Sequence, residues 1–63
     1  MANVLIVDDE ETFARNAARF LARSGHDVAT AGTLAEAREQ IQLRMPDVVV
    51  LDYRLPDGTG LEL

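Results

Sequence analysis

Cysteine is absent from this chain of 63 residues, which excludes a disulfide framework and any thiolate metal site and suits a reducing cytoplasm. Lysine is absent too: all six positive charges are arginines. No apolar run approaches the length of a membrane span, and Met1-Ala2-Asn3 carries no positive leader. A cytoplasmic chain that does not enter the membrane is therefore expected. Positive charge is scarce, with eleven acids against six arginines and a formal charge of -5. That balance argues against nucleic-acid binding by this segment, since a phosphate backbone selects for clustered positive charge. The length allows one small domain that buries about 60% of the surface its unfolded chain exposes, so stability should be marginal.

What is present is organised around Asp47-Val-Val-Val-Leu-Asp52-Tyr-Arg-Leu-Pro56-Asp-Gly-Thr-Gly60. Residues 48–51 are apolar and mostly β-branched, which predicts a short strand buried on both faces, as in a parallel sheet. Asp52 follows at once, at the carboxyl edge where open α/β folds place their ligands. Pro56, Gly58 and Gly60 let the chain turn tightly beside it. A solvated strand end next to a Pro-Asp-Gly turn is the plainer alternative.

The other segments bear on that choice. Residues 4–7, Val-Leu-Ile-Val, form a second apolar run that also stops at acids, Asp8 and Asp9, followed by Glu10 and Glu11. A helical period begins near Glu11, with Phe13, Ala17, Phe20 and Leu21 on one stripe and Arg15, Arg19 and Arg23 opposite. Gly25 supplies a left-handed stop. Residues 27–31, Asp-Val-Ala-Thr-Ala, read as an edge strand. Thr33-Leu-Ala-Glu36 is a capping box in which Glu36 reaches back to the Thr33 amide. It opens a second helix with Leu34, Ala37, Ile41 and Met45 on its apolar face, closed by Pro46. Leu61 and Leu63 would begin a third helix.

The order strand, helix, strand, helix, strand, with short right-handed connections, predicts a parallel α/β sheet in the order 2-1-3, as in flavodoxin-like folds. Asp8, Asp9 and Asp52 then converge at its switch point. Like charges crowded there repel, and a hard cation among them offsets this. Oxygen-only ligands without His or Cys favour Mg²⁺. Such a site attracts a phosphoryl group, and Asp52 has the chemistry of a nucleophile that forms an aspartyl phosphate.

Asp8-Asp9 after the first strand, Asp52 after the third, and Leu55-Pro56 with Gly60 behind resemble the N-terminal half of a receiver domain from a bacterial two-component response regulator. The resemblance covers residues 1–63 and implies a CheY-like sheet truncated to strand, helix, strand, helix, strand. It makes Asp52 the phosphoacceptor for a sensor histidine kinase. It makes Asp9 a direct Mg²⁺ ligand with Asp52, has Asp8 act mostly through water, and adds the main-chain carbonyl of Arg54. Pro56 and Gly60 would shape the loop over the site. Receiver domains continue into further strands carrying a hydroxyl residue and a lysine that read the phosphoryl group, and this sequence has neither strand nor lysine. The expectation is a fragment of a longer regulator, no turnover enzyme, whose third strand is an apolar edge that promotes self-association.

Two rival readings remain. One is an assembly module with vestigial acids. The other is a Mg²⁺-dependent phosphotransferase with an Asp nucleophile, against which the adjacency of Asp8 and Asp9 counts, since acids two apart are expected there. The arginine stripe reads as a solvated helix face, with kinase docking as its functional alternative. Phe13 and Phe20 read as core or, where uncovered, as part of a dimer interface. His26 reads as a surface residue, Glu10 and Glu11 as helix N-terminal acids, and Asp57 and Thr59 as turn residues.

Overall fold

The run Val-Leu-Ile-Val takes the middle of the sheet because it is apolar on both sides. The computed structural model describes residues 1–52 and 54–59. In it β1 (Asn3–Val7) is followed by α1 (Glu11–Arg23), β2 (Asp27–Ala31), α2 (Leu34–Leu43), β3 (Val48–Leu51), and a hairpin of β4 (Arg54–Leu55) and β5 (Gly58–Thr59). β1 pairs in parallel with β2, from Asn3 opposite Asp27 to Val7 opposite Ala31. It also pairs in parallel with β3, from Val4 opposite Val48 to Val7 opposite Leu51. The order is β2-β1-β3, the flavodoxin-like, CheY-like arrangement expected from the sequence. Successive crossovers run in opposite directions across the sheet, so a common hand puts α1 and α2 on opposite faces.

Strand periodicity divides the core accordingly. Leu5 and Val7 pack with Ala31, Leu34, Ala37 and Leu55 on the α2 side. Val4 and Ile6 pack with Ala14, backed by Ala17, Ala18, Leu21 and Val28, on the α1 side. Ile6 and Val7 are wholly buried.

Helix ends follow their caps. Glu10 accepts from the Thr12 amide at 2.9 Å, and the Thr33 hydroxyl accepts from the Glu36 amide at 3.1 Å. Gly25, at φ 89°, closes α1. Its amide donates to Ala22 and that of His26 to Leu21, a Schellman pattern that needs a left-handed residue. The capping box differs in one bond: Glu36 Oε1 accepts from the amide of Gly32, at 2.8 Å, where the sequence suggested Thr33.

Several expectations are corrected. The stripe through Phe13 and Phe20 is not the inner face of α1, since the two rings are 50% and 69% exposed. The face that packs is Ala14, Ala17, Ala18 and Leu21. Small side chains let the helix lie close to the sheet, and a phenyl ring there would hold it away. Met45 lies beyond the end of α2 and is exposed. β3 is not buried on both faces. Among the described residues it pairs along one edge only, and Val48 to Leu51 are each 39 to 49% exposed. His26 is half-buried, and its Nδ1 accepts from the Ala2 amide at 3.1 Å, tying the start of the chain to the α1–β2 connection. After Asp52 the sequence predicts a loop with a tight turn, and the structure forms it as the β4–β5 hairpin. The expected third helix at Leu61 and Leu63, and Gly60, lie outside the described residues. No helix among the described residues is long and apolar enough to cross a membrane.

Candidate functional site

Backbone pairing carries the acids to one place. The Asp8 amide donates to the Ala31 carbonyl at 2.9 Å and the Asp52 amide to the Val7 carbonyl at 2.8 Å, adding one rung beyond each side of β1. Both side chains therefore leave the same sheet edge from backbone that is already fixed. The Glu10 amide donates to Asp8 Oδ1 at 2.9 Å, which orients that carboxylate. Asp8, Asp9 and Asp52 each offer a carboxylate oxygen, all within 4.8 Å of one another. Asp8 and Asp52 are half-buried, while Asp9 is exposed.

This donor set fits a hard divalent cation. Ligand oxygens on an octahedral Mg²⁺, at about 2.0–2.1 Å from the ion, lie about 2.9 Å apart when adjacent and about 4.1 Å apart when opposite. Separations within 4.8 Å need only a modest side-chain contraction to reach that geometry. Three carboxylates without nitrogen or sulfur donors select for such an ion.

A cleft of about 650 Å³ opens beside the acids, between α1 and the β2 side of the sheet, with Asp8, Asp9, Thr30, Glu36 and Pro56 among its walls. Arg15 also lines it, so this member of the arginine stripe stands beside the acids and not only on a solvated face. A smaller cavity of about 360 Å³, beside Asn3, Gln40 and Leu43, lies at the opposite end of the sheet, away from all three acids.

After Asp52 the chain enters the hairpin. Arg54 pairs with Thr59 and Leu55 with Gly58 around a Pro56-Asp57 turn, and Gly58, at φ 152°, takes a conformation that a side chain would resist. Leu55 is buried against Leu34 in the α2-side core. Asp57 does what the sequence did not reveal. Its Oδ1 accepts from the Leu34 amide at 2.7 Å and its Oδ2 from the Ala35 amide at 3.0 Å. The Leu34 hydrogen bond holds the Asp57 carboxyl below its ordinary value against some desolvation, with help from the Ala35 amide and the Arg38 charge. The sequence showed a turn at Asp57, but no local pattern names the helix it meets.

A three-stranded parallel sheet in the order β2-β1-β3, with carboxylates gathered at its switch point, defines a flavodoxin-like class of α/β domain. The chain belongs to the response regulator receiver domain family, which it matches over residues 4–63. It is 44% identical, over all of its length, to the DNA-binding transcriptional activator DevR/DosR of Mycobacterium tuberculosis, and spans 30% of that protein. It is 42% identical, over 95% of its length, to the alkaline phosphatase synthesis transcriptional regulatory protein PhoP of Bacillus subtilis, and spans 25% of it. Among solved structures, the non-phosphorylated HemR receiver domain from Leptospira biflexa superposes with a TM-score of 0.90 at 34% identity. That match covers 98% of this chain and 50% of the HemR chain.

Proposed function

We propose that this chain is the phosphoacceptor module of a cytoplasmic two-component response regulator, in which Asp52 takes a phosphoryl group from a sensor histidine kinase. The observation that carries the reading is the gathering of the Asp8, Asp9 and Asp52 carboxylates at the carboxyl edge of β1 and β3. Asp9 and Asp52 would hold Mg²⁺ directly, Asp8 mostly through water, and the Arg54 carbonyl would complete the protein's share. A two-residue hairpin loop is closed by a pair that exchanges both hydrogen bonds, here Leu55 and Gly58. The next pair then directs its main-chain groups away from the partner strand, and Arg54 belongs to that pair. Bound there, the ion would offset charge on the phosphoryl oxygens.

A carboxylate oxygen of Asp52 attacks phosphorus in line, and the phosphorus–nitrogen bond to the kinase histidine breaks. The electron pair stays on the imidazole nitrogen, which takes up a proton, and Asp52 becomes an acyl phosphate. Each acceptor is consumed once, so no turnover enzyme is proposed. The names of the relatives point to transcription as the process regulated, while the formal charge of -5 argues against nucleic-acid contact by this segment.

Incubation with Mg²⁺ and acetyl phosphate, followed by mass spectrometry, tests the reading. The expected result is a labile phosphoryl adduct at Asp52 that needs Mg²⁺ and is absent from Asp52→Asn. Sustained release of inorganic phosphate would favour a phosphotransferase instead. No adduct under any Mg²⁺ concentration would leave an assembly module, the reading that the half-exposed β3 edge favours.

A further inference from the structure

The first three amides of α2 have no partners within the helix, and each finds one outside the ladder. Thr33 takes that of Glu36, and Asp57, 22 residues or more along the chain, takes both Leu34 and Ala35. Asp57 stands in the turn of the hairpin that begins two residues after Asp52. The side chain of Leu34 meets Leu55 of the same hairpin in the buried core. The hairpin is thus fastened to one residue of α2 twice, through its backbone amide and through its side chain. Among the described residues β4 and β5 pair with each other in a separate sheet, not with the parallel sheet. These two attachments therefore help to set where the loop beside the acids lies.

We propose that Asp57 is a positioning residue for the phosphoacceptor site: by bridging the Leu34 and Ala35 amides, it clamps the loop carrying Arg54 and Pro56 against the N-terminus of α2. This inference rests on the function proposed above. Two charge-assisted bonds from one carboxylate fix both the position and the orientation of the turn. Pro56, the neighbouring residue, forms part of the cleft wall next to Asp8 and Asp9. Releasing the clamp frees the loop to shift relative to the acids, and groups that orient metal and phosphoryl ligands tolerate little displacement.

The test compares wild type, Asp57→Ala, Asp57→Asn and Thr33→Ala in the acetyl phosphate assay as a function of Mg²⁺ concentration, with Asp52→Asn as the blank. Thr33→Ala removes the other cap of α2 and leaves the hairpin alone, so it controls for loss of helix stability. Asp57→Ala should raise the Mg²⁺ concentration giving half-maximal phosphorylation rate by about tenfold, the usual consequence of losing an outer orienting group. Asp57→Asn, which keeps one acceptor oxygen, should fall between, and Thr33→Ala should stay near wild type. Amide hydrogen exchange at Leu34 and Ala35 should accelerate in Asp57→Ala. Equal Mg²⁺ responses in wild type and Asp57→Ala would overturn the proposal, as would equal shifts in Asp57→Ala and Thr33→Ala. A wild type that forms no adduct would instead overturn the phosphoacceptor reading itself.

Discussion

Leu34 and Phe20 put the packing of this small domain to a direct test, because the larger side chain should matter less. Leu34 is 1% exposed, enclosed by Leu5, Val7, Ala37 and Leu55, whereas the Phe20 ring is 69% exposed. Truncating a buried leucine to alanine forfeits its transfer energy and leaves a cavity, together about 2–5 kcal/mol. Native domains hold about 0.05–0.15 kcal/mol per residue, or about 3–9 kcal/mol for a chain of this length. Leu34→Ala should therefore remove from about a quarter to all of the stability. Full burial of a phenylalanine is worth about 1.5–3 kcal/mol, and with a third of that burial realised Phe20→Ala should cost about 0.5–1 kcal/mol.

Urea unfolding followed by far-UV circular dichroism reads both variants. With a slope of about 1 kcal/mol per molar, the midpoint should fall by about 2–5 M for Leu34→Ala and by less than about 1 M for Phe20→Ala. All proteins should be compared at one concentration, because association would add to apparent stability. If Phe20→Ala proved as costly as Leu34→Ala, α1 would have to present its phenylalanines inward, and the packing described for its alanine face would be wrong.

Two further outcomes are expected. The folded Asp57 carboxyl titrates below its ordinary 3.8, so it binds a proton less readily than in the unfolded chain. Its stabilising contribution is then complete above that value and is lost as the pH falls through the folded one. The urea midpoint of wild type should exceed that of Asp57→Asn by a constant margin from about pH 5 upward and converge with it in more acidic solution, and a margin that stayed flat down to about pH 2 would contradict the bridge to α2. The half-exposed β3 edge should make the chain associate reversibly in sedimentation velocity, and Val49→Lys should suppress this by placing charge on the edge. A compact monomer in wild type at high concentration would remove that expectation.

The five main elements were legible because their signals are local. Two apolar runs ending in acids gave β1 and β3, Thr33 and Gly25 marked helix ends, and the weaker Asp-Val-Ala-Thr-Ala gave the edge strand. The convergence of Asp8, Asp9 and Asp52 followed from strand order, since a 2-1-3 sheet brings the carboxyl ends of its first and third strands side by side. The inner face of α1 was not legible. Phe13 and Phe20 share a stripe at helical spacing, but so do Ala14, Ala18 and Leu21, and periodicity does not tell which stripe meets a close-lying sheet. The hairpin escaped for another reason: strands of two residues are too short to show alternation. Asp57 escaped because its partners lie more than 20 residues away in sequence.

The rungs at Asp8 and Asp52 have a consequence for how this site can vary. Each acid is pinned by its own peptide N–H, a group that every amino acid except proline supplies, and the Asp8 carboxylate adds a bond of its own by accepting from the Glu10 amide. Asn at either position erases the charge, keeps the peptide N–H and, at position 8, keeps an acceptor oxygen for the Glu10 amide, so Asn substitutions there report on chemistry with the frame in place.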